Sequence, residues 1–120
     1  MSDFKAPAII ITGGVQYVSP PIKLAPQKVG IEVWLDVTAV PGIDTLTLFI
    51  FAYDPVFGFS LPKSISLLSS APIVAVSTNR FQISPGAANL SIIMVPDFFF
   101  VITPSGPGTF TCSLSSRELD

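Results

Sequence analysis

Twelve prolines and eight glycines are distributed through the 120 residues, and no stretch between them keeps a capped helical period. Proline lacks an amide hydrogen and interrupts helix and central strand alike, so this spacing leaves room only for short extended elements. The strongest pattern that survives is alternation. From Ile31 to Val40, residues Ile31, Val33, Leu35, Val37 and Ala39 share one face, and Glu32, Trp34, Asp36, Thr38 and Val40 share the other. Period two over ten residues is the mark of a half-buried strand. Pro41-Gly42 then reads as a turn, and Thr45 to Tyr53 as a second strand, so the pair is expected to form a hairpin. In the second strand Leu46, Leu48, Ile50 and Ala52 alternate with Thr47, Phe49, Phe51 and Tyr53. A strand apolar on both faces belongs at the centre of a fold or beneath a neighbouring subunit.

Further strands are expected at Ile65 to Leu68, Ile73 to Thr78, Arg80 to Ser84, Ser91 to Val95, Phe98 to Thr103 and Thr109 to Leu114. Asp54-Pro55 with Gly58, Ala71-Pro72, Thr78-Asn79, Pro85-Gly86, Pro96-Asp97 and Pro104 to Gly108 supply the turns between them, and Pro85 to Asn89 is the one place suited to a helical turn. Short strands at such spacing indicate an all-β chain, a single-domain antiparallel β-sandwich or barrel. The first part differs. Pro7, Pro20, Pro21 and Pro26 break any ladder around the apolar runs Ala8 to Thr12 and Gln16 to Val18. Residues 1–29 are therefore expected to form an extended Pro-containing N-terminal arm that adds an edge strand to its own domain or to a neighbour. Residues 30–114 then form the β domain and 115–120 a polar, frayed tail. On this reading a chain lacking everything up to Pro26 keeps its β fold and attaches more weakly.

Charge is scarce. Hydrophobic residues make up 49% of the chain and charged residues 12%, against about 25% in an average domain. Too few charges remain to cover the surface, which points to a buried interface and a homo-oligomer, with a trimer favoured. Net charge is −2 and the six basic residues are scattered, so no nucleic-acid partner is expected. The first residues lack the pattern of a secretory signal, no run reaches the roughly 18 to 20 apolar residues of a membrane helix, and no membrane partner is expected.

Little here supports catalysis. The absence of histidine removes the commonest general base and metal ligand. Gly13-Gly14 reads as a turn rather than a phosphate loop. Cys112, the single cysteine, has no disulfide partner in the chain and reads as a small strand residue. Glu32 and Asp36 flank Trp34 on one strand face, but four residues of strand separate the carboxylates by about 13 Å, beyond the roughly 5 to 9.5 Å that glycoside hydrolysis uses. Trp34 therefore reads as a packing residue. Phe98, Phe99 and Phe100 place rings on both faces of one strand, and Phe57 and Phe59 flank Gly58 in a loop. The chain is expected to be non-enzymatic, without cofactor, metal or catalytic residues. Its candidate interface residues are Ile9, Ile11, Tyr17, Val18, Trp34, Phe49, Phe51, Phe57, Phe59 and Phe99.

The run Tyr17-Val18-Ser19-Pro20, the strand Val33 to Val40, Asp44-Thr45-Leu46-Thr47 and the turn Asp54-Pro55-Val56 together resemble small virion structural proteins of tailed phages and prophages. Those chains carry a Tyr-Thr-Ser-Pro opening, an Asp-Val-Thr-Ala-Val strand, a Thr-Leu-Thr strand and an Asp-Pro-Val-Ser-Gly turn. Leu61-Pro62, Pro85-Gly86 and the strand from Pro96 to Thr103 extend the likeness, which spans Tyr17 to Leu114. Asp97 and Phe99 stand where the group has arginine and tryptophan, and Phe57 where it has a turn serine. The resemblance implies a capsid decoration (cement) protein, often trimeric, with the major capsid protein or other virion proteins as partners. It implies the capsid surface of the virion as location, reached from the host cytoplasm during assembly. Two other roles stay open: a host-surface or carbohydrate-binding module using Trp34 and the loop aromatics, and a tail or neck component.

With no histidine, one cysteine and dispersed acids, metal removal is expected to leave the fold intact. Thermal unfolding recorded with and without EDTA should give the same Tm, and a sharp drop in EDTA would reverse this reading.

Overall fold

In a computed structural model that describes residues 4–28, 30–53, 66–83 and 97–119, every regular element among the described residues is a strand. In chain order these are β1 (Phe4–Ile11), β2 (Tyr17–Val18), β3 (Ile22–Lys23), β4 (Gly30–Ala39), β5 (Leu46–Ala52), β6 (Ser66–Ser69), β7 (Ser77–Ile83), β8 (Asp97–Pro104) and β9 (Phe110–Leu119). They form two antiparallel sheets. One runs in the order β1-β9-β4-β7; the other runs β2-β8-β5-β6, with β3 also paired to β8. The Cα radius of gyration, 14.0 Å, is close to the about 13.6 Å expected of one compact domain of this length.

Alternation decides what lies between the sheets. Ile31, Val33, Leu35 and Val37 of β4 join Leu46, Leu48 and Ile50 of β5, Phe98, Phe100 and Ile102 of β8, and Phe110, Cys112 and Leu114 of β9 in one buried cluster. The Phe98 and Phe100 rings meet edge to face, with centroids 5.6 Å apart, a favoured arrangement for aromatic pairs. Phe99, one residue out of phase, lies on the opposite side of β8, tilted against Phe51 at 5.6 Å and edge-on to Tyr53 at 6.3 Å. Both faces of β8 are therefore buried at this point.

The expected hairpin does not form. β4 pairs with β7 and β9, whereas β5 pairs with β6 and β8 in the other sheet. Pro41-Gly42 does turn the chain, with Gly42 at φ 100°, but the turn carries it across the core. Two strands that each have an apolar face can bury it against one another only from opposite sheets. The expected Thr78-Asn79 turn is also absent, since β7 runs straight through it in register with β4. The segment expected as a strand from Ile73 makes only an isolated bridge, Ile73 to Leu46, before β7 begins at Ser77. The turns at Asp54-Pro55 and Gly58, the strand Ser91 to Val95 and the helical turn Pro85 to Asn89 lie outside the described residues.

The residues read as an extended arm add edge strands to their own domain. β1 pairs with β9 from Phe4 to Ile11, with an irregularity between Ala6 and Ile9 where Pro7 falls. Ile9, Ile11, Ile22 and Leu24 enter the core, a correction to the expectation that all core strands begin at residue 30 or later. β2 and β3 lie along one edge of β8, separated by Pro20 and Pro21. Ser19 completes that edge: its N–H donates to the Phe100 carbonyl at 2.9 Å, and its Oγ accepts from the Phe100 N–H at 2.8 Å. A buried side chain thus supplies the acceptor that the interrupted ladder cannot. The tail expected to fray is instead ordered strand, because Ser115 to Leu119 continue β9 against β4, and Glu118 accepts the Ala25 N–H.

Deletion of residues 1–26 should therefore unfold the protein rather than trim it. It removes three strands and four core side chains, each contributing about 1.5–3 kcal/mol, from a domain whose whole stability is of the order of 5–15 kcal/mol. Circular dichroism of the truncated chain should show no cooperative thermal transition; a retained one would mean the edge strands are dispensable.

Candidate docking surfaces

Strand direction brings four connections to one end of the fold: residues 12–16 after β1, 40–45 after β4, 70–76 before β7 and 105–109 between β8 and β9. The chemistry of each segment locks it to the next. Gly13 and Gly14 take φ of 66° and 76°, a backbone that glycine adopts without strain, and the Val15 N–H closes the turn on the Thr12 carbonyl. The Gly13 N–H donates to the Pro107 carbonyl at 3.0 Å, and the Thr12 and Thr109 hydroxyls share a hydrogen bond of 2.8 Å. Thr45 and Ser105 bond reciprocally: the Thr45 N–H donates to Ser105 Oγ at 2.8 Å, and the Ser105 N–H to the Thr45 carbonyl at 2.9 Å. Asp44 Oδ2 accepts the Gly108 N–H at 2.8 Å. A Cβ on Gly108 would come within 2.5 Å of the Pro41 ring, so only glycine fits this crossing. Ile73 and Leu46 exchange backbone bonds of 2.8 and 3.1 Å, fastening the fourth segment.

This end exposes large aliphatic side chains alongside hydroxyl and amide groups. Ile43 is 92% exposed, Ile10 70%, Val15 69%, Val74 62% and Val76 61%, and Val18 lies nearby on β2. The only charged side chain in the four segments is Asp44, whose carboxylate is occupied by Gly108. Two shallow grooves flank the projecting side chains. One, of about 310 Å³, is lined by Ile10, Ile11, Thr12, Val15, Gln16 and Tyr17; the other, of about 270 Å³, runs along Ala71 to Ala75 beside Phe81. Lys23, Lys28, Asp97 and Glu118 belong to the opposite end, where β3 pairs with the start of β8 and β9 finishes.

A second surface is the outer face of the sheet β1-β9-β4-β7. Lys5, Ser115, Trp34 and Arg80 stand in one row across its four strands. Beside them Glu32, 3% exposed, accepts from Arg80 Nε at 2.7 Å and from Arg80 Nη2. It also accepts from Arg117 Nε at 2.8 Å and from the Trp34 indole N–H at 3.2 Å. The bonded Arg80 guanidinium holds the Glu32 carboxyl below the usual carboxylate range, Arg117 and Trp34 act in the same direction, and burial opposes them. Asp36 lies further along the same face with a buried Oδ1 that has no partner among the described residues. Glu32 serves this cluster as an anchor, a role the alternation pattern alone could not reveal because it places Glu32 on the outer face as if solvated.

The other sequence-derived candidates divide clearly. Ile9 and Ile11, expected at an interface, are buried in the protein's own core, and Phe99 is fully buried against Phe51 and Tyr53. Tyr17 is partly buried against the core and lines the larger groove. Phe49 and Phe51 stack at 5.5 Å and are partly exposed. Val18 and Trp34 are exposed. Phe57 and Phe59 lie outside the described residues. Ile10, Val15, Ile43, Val74 and Val76, the most exposed apolar residues, were not singled out from sequence. Their positions beside Gly13-Gly14, Pro41-Gly42 and Ala71-Pro72 were the available signal. Among the described residues no group of three or more His, Cys, Asp or Glu side chains could hold a metal. Burial pushes the Cys112 thiol up to about 11, away from nucleophilic use. No protein-family model matches the chain, and no curated protein matches it, so geometry and chemistry carry the functional reading.

Because the folded protein lowers the Glu32 pKa, the associated stability is fully present above the ordinary glutamate range and is lost as pH falls through the lower folded value. Comparison of wild type with Glu32→Gln by thermal unfolding should show the variant less stable near neutrality. The gap should narrow only below the ordinary carboxylate range. A gap independent of pH would show that the carboxylate charge is not what holds the cluster.

Proposed function

We propose that this chain is a non-enzymatic virion structural protein, a capsid decoration protein with a β-sandwich fold that docks on the head shell through its apolar loop end. The observation that carries the reading is the concentration of Ile10, Val15, Ile43, Val74 and Val76 at one nearly uncharged end, whose loops are cross-bonded before any partner arrives. Large aliphatic side chains exposed together at one end favour a protein partner, and loops already held in place lose little entropy on docking. Binding many copies to the folded shell stabilises it by mass action. The sequence resemblance to tailed-phage virion proteins supports the same role, with the major capsid protein as partner and a homotrimer as the working unit. Against the carbohydrate-binding alternative, the Arg80 guanidinium lies over the Trp34 ring, 5.7 Å from its centroid, and places a charge on a face that a stacked sugar would use.

Co-sedimentation with empty heads of the cognate major capsid protein should show saturable binding of hundreds of copies per head. Ile43→Asp should bind at least tenfold more weakly with an unchanged Tm, since Ile43 makes almost no contact with the core. No binding by the full chain, or equal binding by the variant, would overturn the proposal; a single ring's worth of copies would reassign it to the neck or tail. Light scattering of the free protein should give three copies, and a stable monomer at micromolar concentration would remove the trimer.

A further inference from the structure

The outer face of the β1-β9-β4-β7 sheet carries features that the loop end does not explain. Glu32 is buried, yet it sits among side chains that are not: the Arg80 side chain is 50% exposed and that of Arg117 65%, and Trp34 is 39% exposed. A carboxylate with this many donors fixes the orientation of all three. Arg117 is held through Nε alone, so among the described residues both of its Nη groups are without a partner. Arg80 is held through Nε and Nη2, with Gln82 also accepting from Nη2, which leaves Nη1 directed away from Glu32. Orientation of these forks therefore costs less when a ligand arrives.

From this arrangement we infer that the Trp34–Arg80–Arg117 face is a second docking surface, one that takes a carboxylate-bearing segment of a protein partner. A guanidinium presents paired N–H donors that match a carboxylate, and an exposed tryptophan flanked by arginines is the composition that dominates protein interfaces. Charge favours the same occupant: with Lys5 in the row, the described residues of this face hold three cations against two carboxylates, although the whole chain is net −2. Three cations beside Glu32 and Asp36 are too few and too mixed in sign for a nucleic-acid backbone. A guanidinium 5.7 Å over the Trp34 ring makes that face less suited to sugar stacking. The inference does not depend on the loop end meeting a capsid, because it concerns a different face and a different chemistry.

Trp34 is the only tryptophan in the chain, so intrinsic fluorescence reports this face directly. The full-length protein would be titrated at low salt with poly-L-glutamate, with dextran sulfate and a neutral oligosaccharide mixture in parallel. Poly-L-glutamate should change the emission saturably, with at least tenfold weaker apparent affinity in Arg117→Gln and no more than a twofold change in Lys23→Gln. Ile43→Asp should respond as wild type, which keeps this test separate from head binding. An unchanged emission, an undiminished response in Arg117→Gln, or an equal or stronger response to dextran sulfate or to the oligosaccharides would each overturn the inference.

Discussion

The inner face of β4, Ile31, Val33, Leu35 and Val37, packs into the same core as Leu46, Leu48 and Ile50 of β5 and Phe98, Phe100 and Ile102 of β8. Burying a side chain of this kind contributes about 1.5–3 kcal/mol, so this seam supplies the largest favourable term the fold has. It also fixes everything on the reverse side. Because strand side chains alternate with period two, a slip of one residue would move Glu32 into the core and Val33 into solvent. The position of Glu32 between Arg80 and Arg117 is therefore a consequence of where the valines and leucines must go.

A chain with twelve prolines has to place them where a missing N–H does no harm. The fold confines Pro7 to edge strand β1 and Pro20 and Pro21 to the gap between β2 and β3. In that gap Ser19 restores the pairing with Phe100 that proline cannot make. Pro7, with the irregularity beside it, also blunts the β1 edge against pairing with another chain. The same economy of backbone partners holds at the loop end, where hydroxyls and one carboxylate bond across segments distant in sequence. That end exposes aliphatic side chains outside and is hydrogen-bonded within, the combination on which the proposed docking rests.

The protein thus presents two chemically distinct surfaces. One end offers aliphatic side chains with its single carboxylate occupied; one sheet face offers a tryptophan set among oriented arginines. A subunit that must bridge neighbours needs more than one contact surface, and contacts of different chemistry cannot substitute for each other. This separation follows from the topology, which places the connections 12–16, 40–45, 70–76 and 105–109 at one end and, among the described residues, the lysines and every acid but Asp44 elsewhere.

The sequence by itself determined the class and the faces. Proline spacing pointed to strands, and every regular element among the described residues is one; alternation placed Ile31 to Val37 of β4 and Leu46 to Ile50 of β5 on the faces they take, failing only at Ala39 beyond the β4 irregularity; and Cys112 read as the strand residue it is. Only the tertiary structure decided who pairs with whom. Pro41-Gly42 carries the same turn chemistry whether the chain folds back on its own strand or crosses to another sheet. The choice was made by partners far away, with Val33 opposite Ser116 and Phe51 opposite Phe99. The edge role of the N-terminal segment was legible, but the same distance hid that residues 4–28 give their strands and core side chains to their own domain, and that Ser115 to Leu119 continue a strand. The two surfaces proposed for docking were least legible of all. Exposure of Ile43 or Val15, and the gathering of Arg80 and Arg117 around Glu32, depend on which segments meet in space, and local propensity holds no information about such meetings.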